Sequence, residues 1–139
     1  MKVLVGYVRT PEARAALEAA IAEAQRRDAT LVVAHASRGS KRERETDPAV
    51  RAYHAELRDI EERLSDSGID FQVRELIRHK PPAEDLLAFA GENAVELIVI
   101  GVRRRSPVGK LVLGSNAQDI ILKAECPVLA VKAPAAPAA

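Results

Sequence analysis

Five short apolar runs, each too short to nucleate a helix, constrain the possible folds of this chain more than any other feature. The most apolar segment is ELIVIG at residues 96–101, and further short segments lie at residues 2–8, 30–36 and 127–131, whereas residues 69–77 alternate only partially and predict a strand with one face less buried. Stretches with apolar residues at helical spacing separate them. Strands that alternate with helices favour right-handed βαβ crossovers. We therefore predict an α/β fold with a five-stranded parallel sheet and four helices, in which residues 96–101 lie centrally.

Helix boundary signals agree with this pattern. Thr10 followed by Pro11 supplies an N-cap hydroxyl and a proline at a position whose N–H needs no partner. Gly68 is placed to end the second helix. Ser115 and Gln118 fit a capping box, with Ser115 as the N-cap of the fourth helix. Three of the four predicted helices therefore have a chemical reason to begin or end where their apolar period does.

Chain length and composition favour one domain with an aliphatic core. The chain has 139 residues, of which 47% are hydrophobic but only 3% are aromatic, so Ala, Val, Leu and Ile must fill the core. We predict one domain over residues 1–132. Residues 133–139 read APAAPAA and lack side chains large enough to offset the entropy of ordering, so we predict a disordered tail there.

Charge and the lack of a targeting signal narrow the class of protein. The formal net charge is +1 and aromatic residues are scarce, which disfavours a nucleic-acid binder that stacks bases. No apolar run reaches the length of a membrane span, and the first residues do not form a signal peptide. The single Cys126 excludes an intramolecular disulfide and a cysteine-based metal site. We expect a cytoplasmic protein with neither nucleic-acid nor membrane partners.

The segment after the predicted central strand contains the groups that a phosphate site requires. Parallel sheets bind ligands at the carboxyl ends of their strands, and a helix N-terminus attracts anions. Glycines in this segment permit close backbone approach, and cations add charge. These residues are Gly101, Arg103, Arg104, Arg105, Gly109, Lys110, Gly114 and Ser115. The spacing matches neither a P-loop nor GxGxxG.

Residues 2–132 resemble the universal stress protein family, whose fold is adenine nucleotide α-hydrolase-like, that is, Rossmann-like with five parallel strands and four helices. The family motif is G-x2-G-x9-G-[ST], followed by a helix and a CPVLVV-like strand. This chain matches it with Gly101, Gly114, Ser115 and the sequence CPVLAV at residues 126–131. Arg104 stands where the motif has its second glycine.

The resemblance implies a regulatory stress-response module that binds an adenine nucleotide. ATP, accompanied by Mg²⁺, would be the cofactor. By position, the triphosphate and ribose would contact Gly101, Gly114, Ser115 and the backbone of Asn116, and adenine would contact Ala36. Arg103 and Arg104 would add positive charge for the phosphates. We name no catalytic residue, because neither a general base nor a metal-ligand pair stands out, so ATP hydrolysis would be slow at most.

Other functions remain open at this stage. ATP-binding members of the family usually carry an acid just after the first strand, in a V-D-G-S pattern, where this chain has Val8, Arg9 and Thr10. The alternative is therefore a dimeric interaction protein of the same family that binds no nucleotide, with Arg104 filling the phosphate pocket. An enzyme such as a nucleotide-activating ligase ranks last, because the chain lacks a second substrate domain.

The resemblance also implies a homodimer. In this family the last strand pairs antiparallel with its symmetry mate, which would cover an edge that is otherwise prone to aggregation. A charge at Leu129 should disturb such a dimer. The predicted interface consists of Pro127, Val128, Leu129, Ala130 and Val131.

Histidine and cysteine side chains have structural explanations. His35 lies in an apolar strand and is expected to be a buried, hydrogen-bonded core residue, and His54 is expected at the surface. His79 follows the third strand, where it could approach a ligand. Cys126 is expected to be a small buried residue whose pKa is not lowered. None of these residues is a predicted catalyst.

Overall fold

Helices and strands alternate strictly in the computed structural model. It describes residues 1–8, 10–36, 47–76, 82–103 and 114–133. The elements are β1 (Lys2–Tyr7), α1 (Pro11–Arg27), β2 (Thr30–Ala36), α2 (Pro48–Ser67), β3 (Phe71–Leu76), α3 (Pro82–Glu92), β4 (Leu97–Val102), α4 (Ser115–Lys123) and β5 (Val128–Lys132). The predicted α/β fold of five strands and four helices is confirmed. The last six residues of the predicted tail lie outside the described ranges.

The strands form one parallel sheet in the order β3-β2-β1-β4-β5. The chain builds outward from β1 to β3 and then crosses back to place β4 on the other side of β1. This reversal creates a topological switch point between β1 and β4. The connections that leave these two adjacent strands there pass to opposite faces of the sheet. The run at residues 96–101 is interior as predicted, and β5 is an edge strand.

Side-chain alternation along the strands divides the core into two layers. Val3 and Val5 pack with α1 and α2 on one face of the sheet. Leu4 and Ile98 pack with α3 and α4 on the other face. Because both faces are covered, the central strands carry continuous apolar runs rather than alternating ones. The low aromatic content is consistent with these layers, which consist mainly of Ala, Val, Leu and Ile.

Two predicted helix caps have different outcomes. The Thr10 hydroxyl accepts a hydrogen bond from the Ala13 N–H at 3.1 Å, which confirms the cap of α1. The capping box at Ser115 is wrong, because Gly114 is the N-cap and Ser115 is the first helical residue. Gly114 has extended backbone angles, and its carbonyl accepts from the Gln118 N–H at 3.0 Å. The helix therefore begins one residue earlier than the capping pattern indicates.

Gly101 brings β4 into backbone contact with the first turn of α1. A Cβ atom at position 101 would lie 2.4 Å from the Glu12 carbonyl oxygen and 2.9 Å from the Ala13 nitrogen. Both atoms belong to the backbone, so no side-chain rotation could relieve the overlap. The absence of a side chain at residue 101 thus sets the distance between the end of β4 and the start of α1.

Gly101→Ala is expected to destabilise the fold. The added methyl group would force α1 and β4 apart, and such overpacking costs about 1 to 3 kcal/mol. Gly91→Ala is the control, because its new Cβ meets nothing within 4 Å in a helix. That change should stabilise the protein by about 0.5 kcal/mol through helix propensity. Urea denaturation measures both effects, and a Gly101→Ala protein as stable as the parent would contradict the close contact.

Candidate functional site

A cavity of about 200 Å³ lies at the carboxyl ends of β1 and β4, at the topological switch point. Residues in or just after the carboxyl-terminal halves of β1, β2, β3 and β4 all contribute to its wall. Its described lining residues are Gly6, Tyr7, Val8, Thr10, Glu12, Ala13, Ala34, Leu76, Pro82, Ala83, Leu86, Ile100, Gly101, Asn116, Ala117 and Ile120. This is the position at which open parallel sheets bind ligands.

Three helix N-termini border the cavity. Thr10 and Glu12 come from the start of α1, Pro82 from the first residue of α3, and Asn116 from the second residue of α4. Helix N-termini carry partial positive charge and N–H groups without intrahelical partners. In α4 the N-cap Gly114 has no side chain with which to accept these hydrogen bonds. The first turn of α4 can therefore donate to an anion.

The opposite wall of the cavity is apolar and built from small and branched side chains. Ala34, Leu86 and Ile120 are buried members of the α3/α4 core layer that also reach the cavity. Gly6 lies on this wall, where a Cβ atom would be in van der Waals contact with the Leu86 side chain at 3.4 Å. An apolar wall that faces polar helix ends suits a ligand with a flat apolar part and an anionic part.

The structure brings together part of the predicted site. Gly101 and Asn116 line the cavity. Arg103, Gly114 and Ser115 are exposed and flank it along the chain without being among its described lining residues. Ala36 ends β2, where its backbone is paired with Leu76, and its side chain is not described. The predicted Arg104, together with Arg105, Gly109, Lys110 and His79, lies outside the described residues.

Sequence reasoning missed the contributions of α1 and α3 to the cavity. Glu12, Pro82 and Leu86 are far from the glycine motif in sequence and meet it only because the sheet order places their helices beside β4. Two signals were available. Both helices follow a strand's carboxyl end, and both start with a proline, which marks a helix N-terminus.

A polar row lies next to the cavity on the α1/α2 face of the sheet. Tyr7, His35 and Glu75 are register partners on β1, β2 and β3, and two residues of α2 cover them. The Tyr7 hydroxyl donates to the Glu56 carboxylate. The Tyr53 hydroxyl lies 2.6 Å from His35 Nδ1. These two contacts join the first half of α2 to the sheet.

Burial changes the acid–base chemistry of this row. Burial, then the hydrogen bond to Glu56, raises the pKa of Tyr7 to about 12, and Arg14 acts in the opposite direction. His35 is 7% exposed, which confirms the prediction of a buried, hydrogen-bonded residue. Burial lowers the pKa of His35, Glu75 raises it, and His54 lowers it further. His54 is half-buried beside Tyr53 rather than fully at the surface.

Metal and membrane signals are absent from the described part of the chain. Among residues 1–8, 10–36, 47–76, 82–103 and 114–133, no group of three or more His, Cys, Asp or Glu side chains could hold a metal ion. No helix within these ranges is long and apolar enough to span a membrane. Cys126 is half-buried, and burial raises the pKa of its thiol. The thiol is therefore poorly suited to act as a nucleophile.

The fold is an α/β module with a five-stranded parallel sheet and a cavity at its switch point, and the comparison with known proteins assigns its family. The model of the universal stress protein family matches residues 1–132. The chain therefore belongs to the universal stress protein family, as the resemblance predicted.

Individual relatives agree with this assignment. A universal stress protein of Mycolicibacterium smegmatis is 44% identical over 133 residues, covering 94% of this chain and 96% of the relative. A universal stress protein structure from Archaeoglobus fulgidus is 33% identical with a TM-score of 0.76, covering 95% and 98% of the two chains. A second structure from that organism, in complex with dAMP, is 28% identical with a TM-score of 0.71, covering 95% and 98%.

His35 should make the protein less stable in mild acid. Its folded pKa lies below the ordinary value of 6.5, so below about pH 6.5 the unfolded chain binds a proton that the folded chain does not. Unfolding is therefore favoured as pH falls. His35→Gln should lose less stability than the parent between about pH 7.5 and about pH 5.5, as measured by urea midpoints.

His54→Gln is the matched control for this measurement. It removes a half-buried imidazole on α2, whereas the largest cause of the shift at His35, burial, remains. Its loss of stability between the two pH values should stay close to that of the parent. Equal pH dependence in the parent and in His35→Gln would contradict the assignment to His35.

Proposed function

We propose that the cavity between β1 and β4 binds an adenine nucleotide, with ATP as the physiological form. The observation that carries the proposal is the joint placement of three helix N-termini, Gly101 and Asn116 around one cavity at the switch point. The phosphates would lie at this polar end, where Gly114, Ser115 and Asn116 begin α4. Arg103 is exposed at the end of β4 and adds positive charge nearby.

The remainder of the cavity fits the nucleoside. Its apolar side, which includes Ala34, Leu86 and Ile120, offers a dry surface for a purine ring. Ala36 would be close to adenine at the end of β2. The dAMP complex of the 28% identical Archaeoglobus fulgidus relative supports an adenine nucleotide as the ligand class.

The proposed role is regulatory binding in a cytoplasmic stress response rather than efficient hydrolysis. Among the described lining residues the sole side chain of the usual general-base types, His, Asp and Glu, is Glu12. Occupancy of the cavity would then report nucleotide levels, because a bound ligand stabilises the folded state.

One observation favours a second candidate function. Val8 follows β1, lines the cavity and is 58% exposed, and it occupies the place where ATP-binding family members usually carry an acid. An apolar side chain there cannot accept hydrogen bonds from a ribose. The alternative is therefore a dimeric interaction module of the same family that does not bind nucleotide.

Ala117→Phe should prevent nucleotide binding. Ala117 lines the cavity in the first turn of α4 and is partly buried against the α3/α4 core layer, so the ring would fill the ligand's space, and urea denaturation checks that the variant remains folded. In titration calorimetry the affinity for ATP, ADP and AMP should fall by at least about tenfold relative to the parent. For the parent, ATP at 100 times its Kd should stabilise the fold by about 2.7 kcal/mol.

Gln118→Phe is the control for this substitution. Gln118 is the next residue, is exposed and is not among the described lining residues. The same ring at this position should leave the affinity unchanged. If the three nucleotides give the parent protein no binding heat and no thermal stabilisation, that result would favour the second candidate function.

We further propose a homodimer through β5, in which residues 127–131 pair with a second copy. The Ile98 N–H donates to the Pro127 carbonyl at 3.0 Å, so the amides of Leu129 face β4 and, by alternation, those of Val128 and Ala130 face outward. Ile121 and Leu122 are exposed on α4, which precedes this edge. Pairing would give the outward-facing backbone groups of β5 hydrogen-bond partners. It would also bring the exposed apolar side chains of α4 from the two copies close together.

Ala130→Pro should convert the dimer to a monomer. Proline removes one outward-facing N–H from an exposed position, whereas a charge at the half-buried Leu129 would also disturb the α1/α2 core layer. Sedimentation velocity measures the oligomeric state. Ala130→Val keeps the N–H and should remain dimeric, and a monomeric parent would contradict the proposed interface.

A further inference from the structure

The two halves of α2 are attached to the sheet in different ways. In the second half, Ile60 and Leu64 are 0% exposed and belong to the α1/α2 core layer. Residues 48–59 are all half-buried or exposed, and among them Leu57 packs against this layer while remaining half-buried. Burial of apolar surface therefore holds the second half of the helix more firmly than the first.

Two polar contacts join the first half of α2 to the ends of β1 and β2. The Tyr53 hydroxyl lies 2.6 Å from His35 Nδ1, and the Tyr7 hydroxyl donates to the Glu56 carboxylate. Tyr53 and Glu56 are about one helical turn apart, so they lie on the same face of the helix. His35 is 7% exposed beneath this face. If this half of the helix left the sheet, water would reach the imidazole.

The surroundings of His35 in the closed arrangement disfavour its protonated form. Burial is the largest effect and lowers the pKa of His35, and His54 lowers it further. Glu75, its register partner on β3, acts in the opposite direction without overcoming burial. The titratable and charged groups on the neighbouring elements are Glu75 on β3, Tyr7 on β1 with Glu56 and Arg14 beside its hydroxyl, and Tyr53 and His54 on α2.

We propose that residues 48–59 form a pH-sensitive arm, which unfolds locally when His35 takes up a proton while the second half of α2 stays docked. Opening exposes the imidazole to water, where burial no longer penalises its charge. Without its contacts to the sheet, this half is marginal as a helix, because most helical stability in proteins comes from packing. The arm requires no ligand in the cavity, so it does not depend on the proposed nucleotide function.

Proton linkage sets the direction and the size of the response. In the closed arm the pKa of His35 lies below 6.5, and in the open arm it returns to this ordinary value. Between about pH 7.5 and about pH 5.5 the ratio of open to closed molecules should therefore rise, by at most about tenfold for one proton. Local opening needs less free energy than global unfolding, so it should occur while the protein remains folded.

Amide hydrogen exchange on the full chain, followed by NMR, tests this arm. At about pH 7.5 the amides of residues 52–57 should be less protected than those of residues 61–65. About 1 M urea should change the first group by less than about twofold, because local opening exposes little surface, and should lower the second by about tenfold. On acidification to about pH 5.5 the first group should lose about five- to tenfold in protection, after correction for the intrinsic pH dependence of exchange.

Two results of this experiment would overturn the proposal. If both groups of amides have equal protection and equal urea dependence, the first half of α2 exchanges only through global unfolding. If acid leaves the protection of residues 52–57 unchanged, the arm does not respond to a proton.

His35→Gln separates the imidazole from other effects of acid. Glutamine can still form a hydrogen bond with Tyr53 and does not titrate, so the loss of protection in acid should shrink to less than about twofold. His54→Gln is the matched control, because it removes the imidazole beside Tyr53 and leaves His35 buried. It should respond much as the parent does. A response in His35→Gln as large as that of the parent would overturn the role of His35.

Tyr53→Phe tests the contact without changing the titrating group. It keeps the ring and removes the hydroxyl next to His35 Nδ1. Residues 52–57 should then lose about fivefold in protection already at about pH 7.5, because the closed arm has lost a hydrogen bond. Unchanged protection in this variant would show that the contact does not hold the arm, and would overturn the proposal.

Discussion

The contact between Gly101 and the first turn of α1 is the constraint on which the cavity depends. β4 belongs to the second half of the sheet and α1 to the first, and this backbone contact joins the two halves at the switch point. Because neither partner contributes a side chain, the spacing cannot adjust by rotamer changes. The same contact therefore closes one side of the cavity and holds the backbone of Glu12 at its border.

Most of the fold follows from local signals in the sequence. Short apolar runs, helical spacing and caps such as Thr10 are determined by nearby residues, so strands, helices and their alternation could be predicted. The false cap at Ser115 arose because an adjacent glycine with extended backbone angles takes the same role without a side chain. Sequence patterns detect capping side chains and do not detect a cap that uses backbone alone.

The cavity was less predictable because its wall is assembled by topology. Gly101 and Asn116 belong to one contiguous motif and could be proposed from sequence. Glu12 and Leu86 enter the wall only through the order of the strands, which places α1 and α3 beside β4. The role of Tyr7 likewise depends on partners 28 and 49 residues away, on β2 and α2. Periodicity within one element carries no information about such partners.

The row formed by Tyr7, His35 and Glu75 also has a consequence for how the strands align during folding. The inner strands are rich in valine and offer little to distinguish one alignment from another shifted by two residues. A shift would leave the Tyr53 and Glu56 side chains of α2 facing valines, with buried polar groups unpaired. A shift by one residue would turn the row into the opposite layer. The polar row therefore favours one register between neighbouring strands, which an aliphatic core alone would not distinguish from the shifted registers.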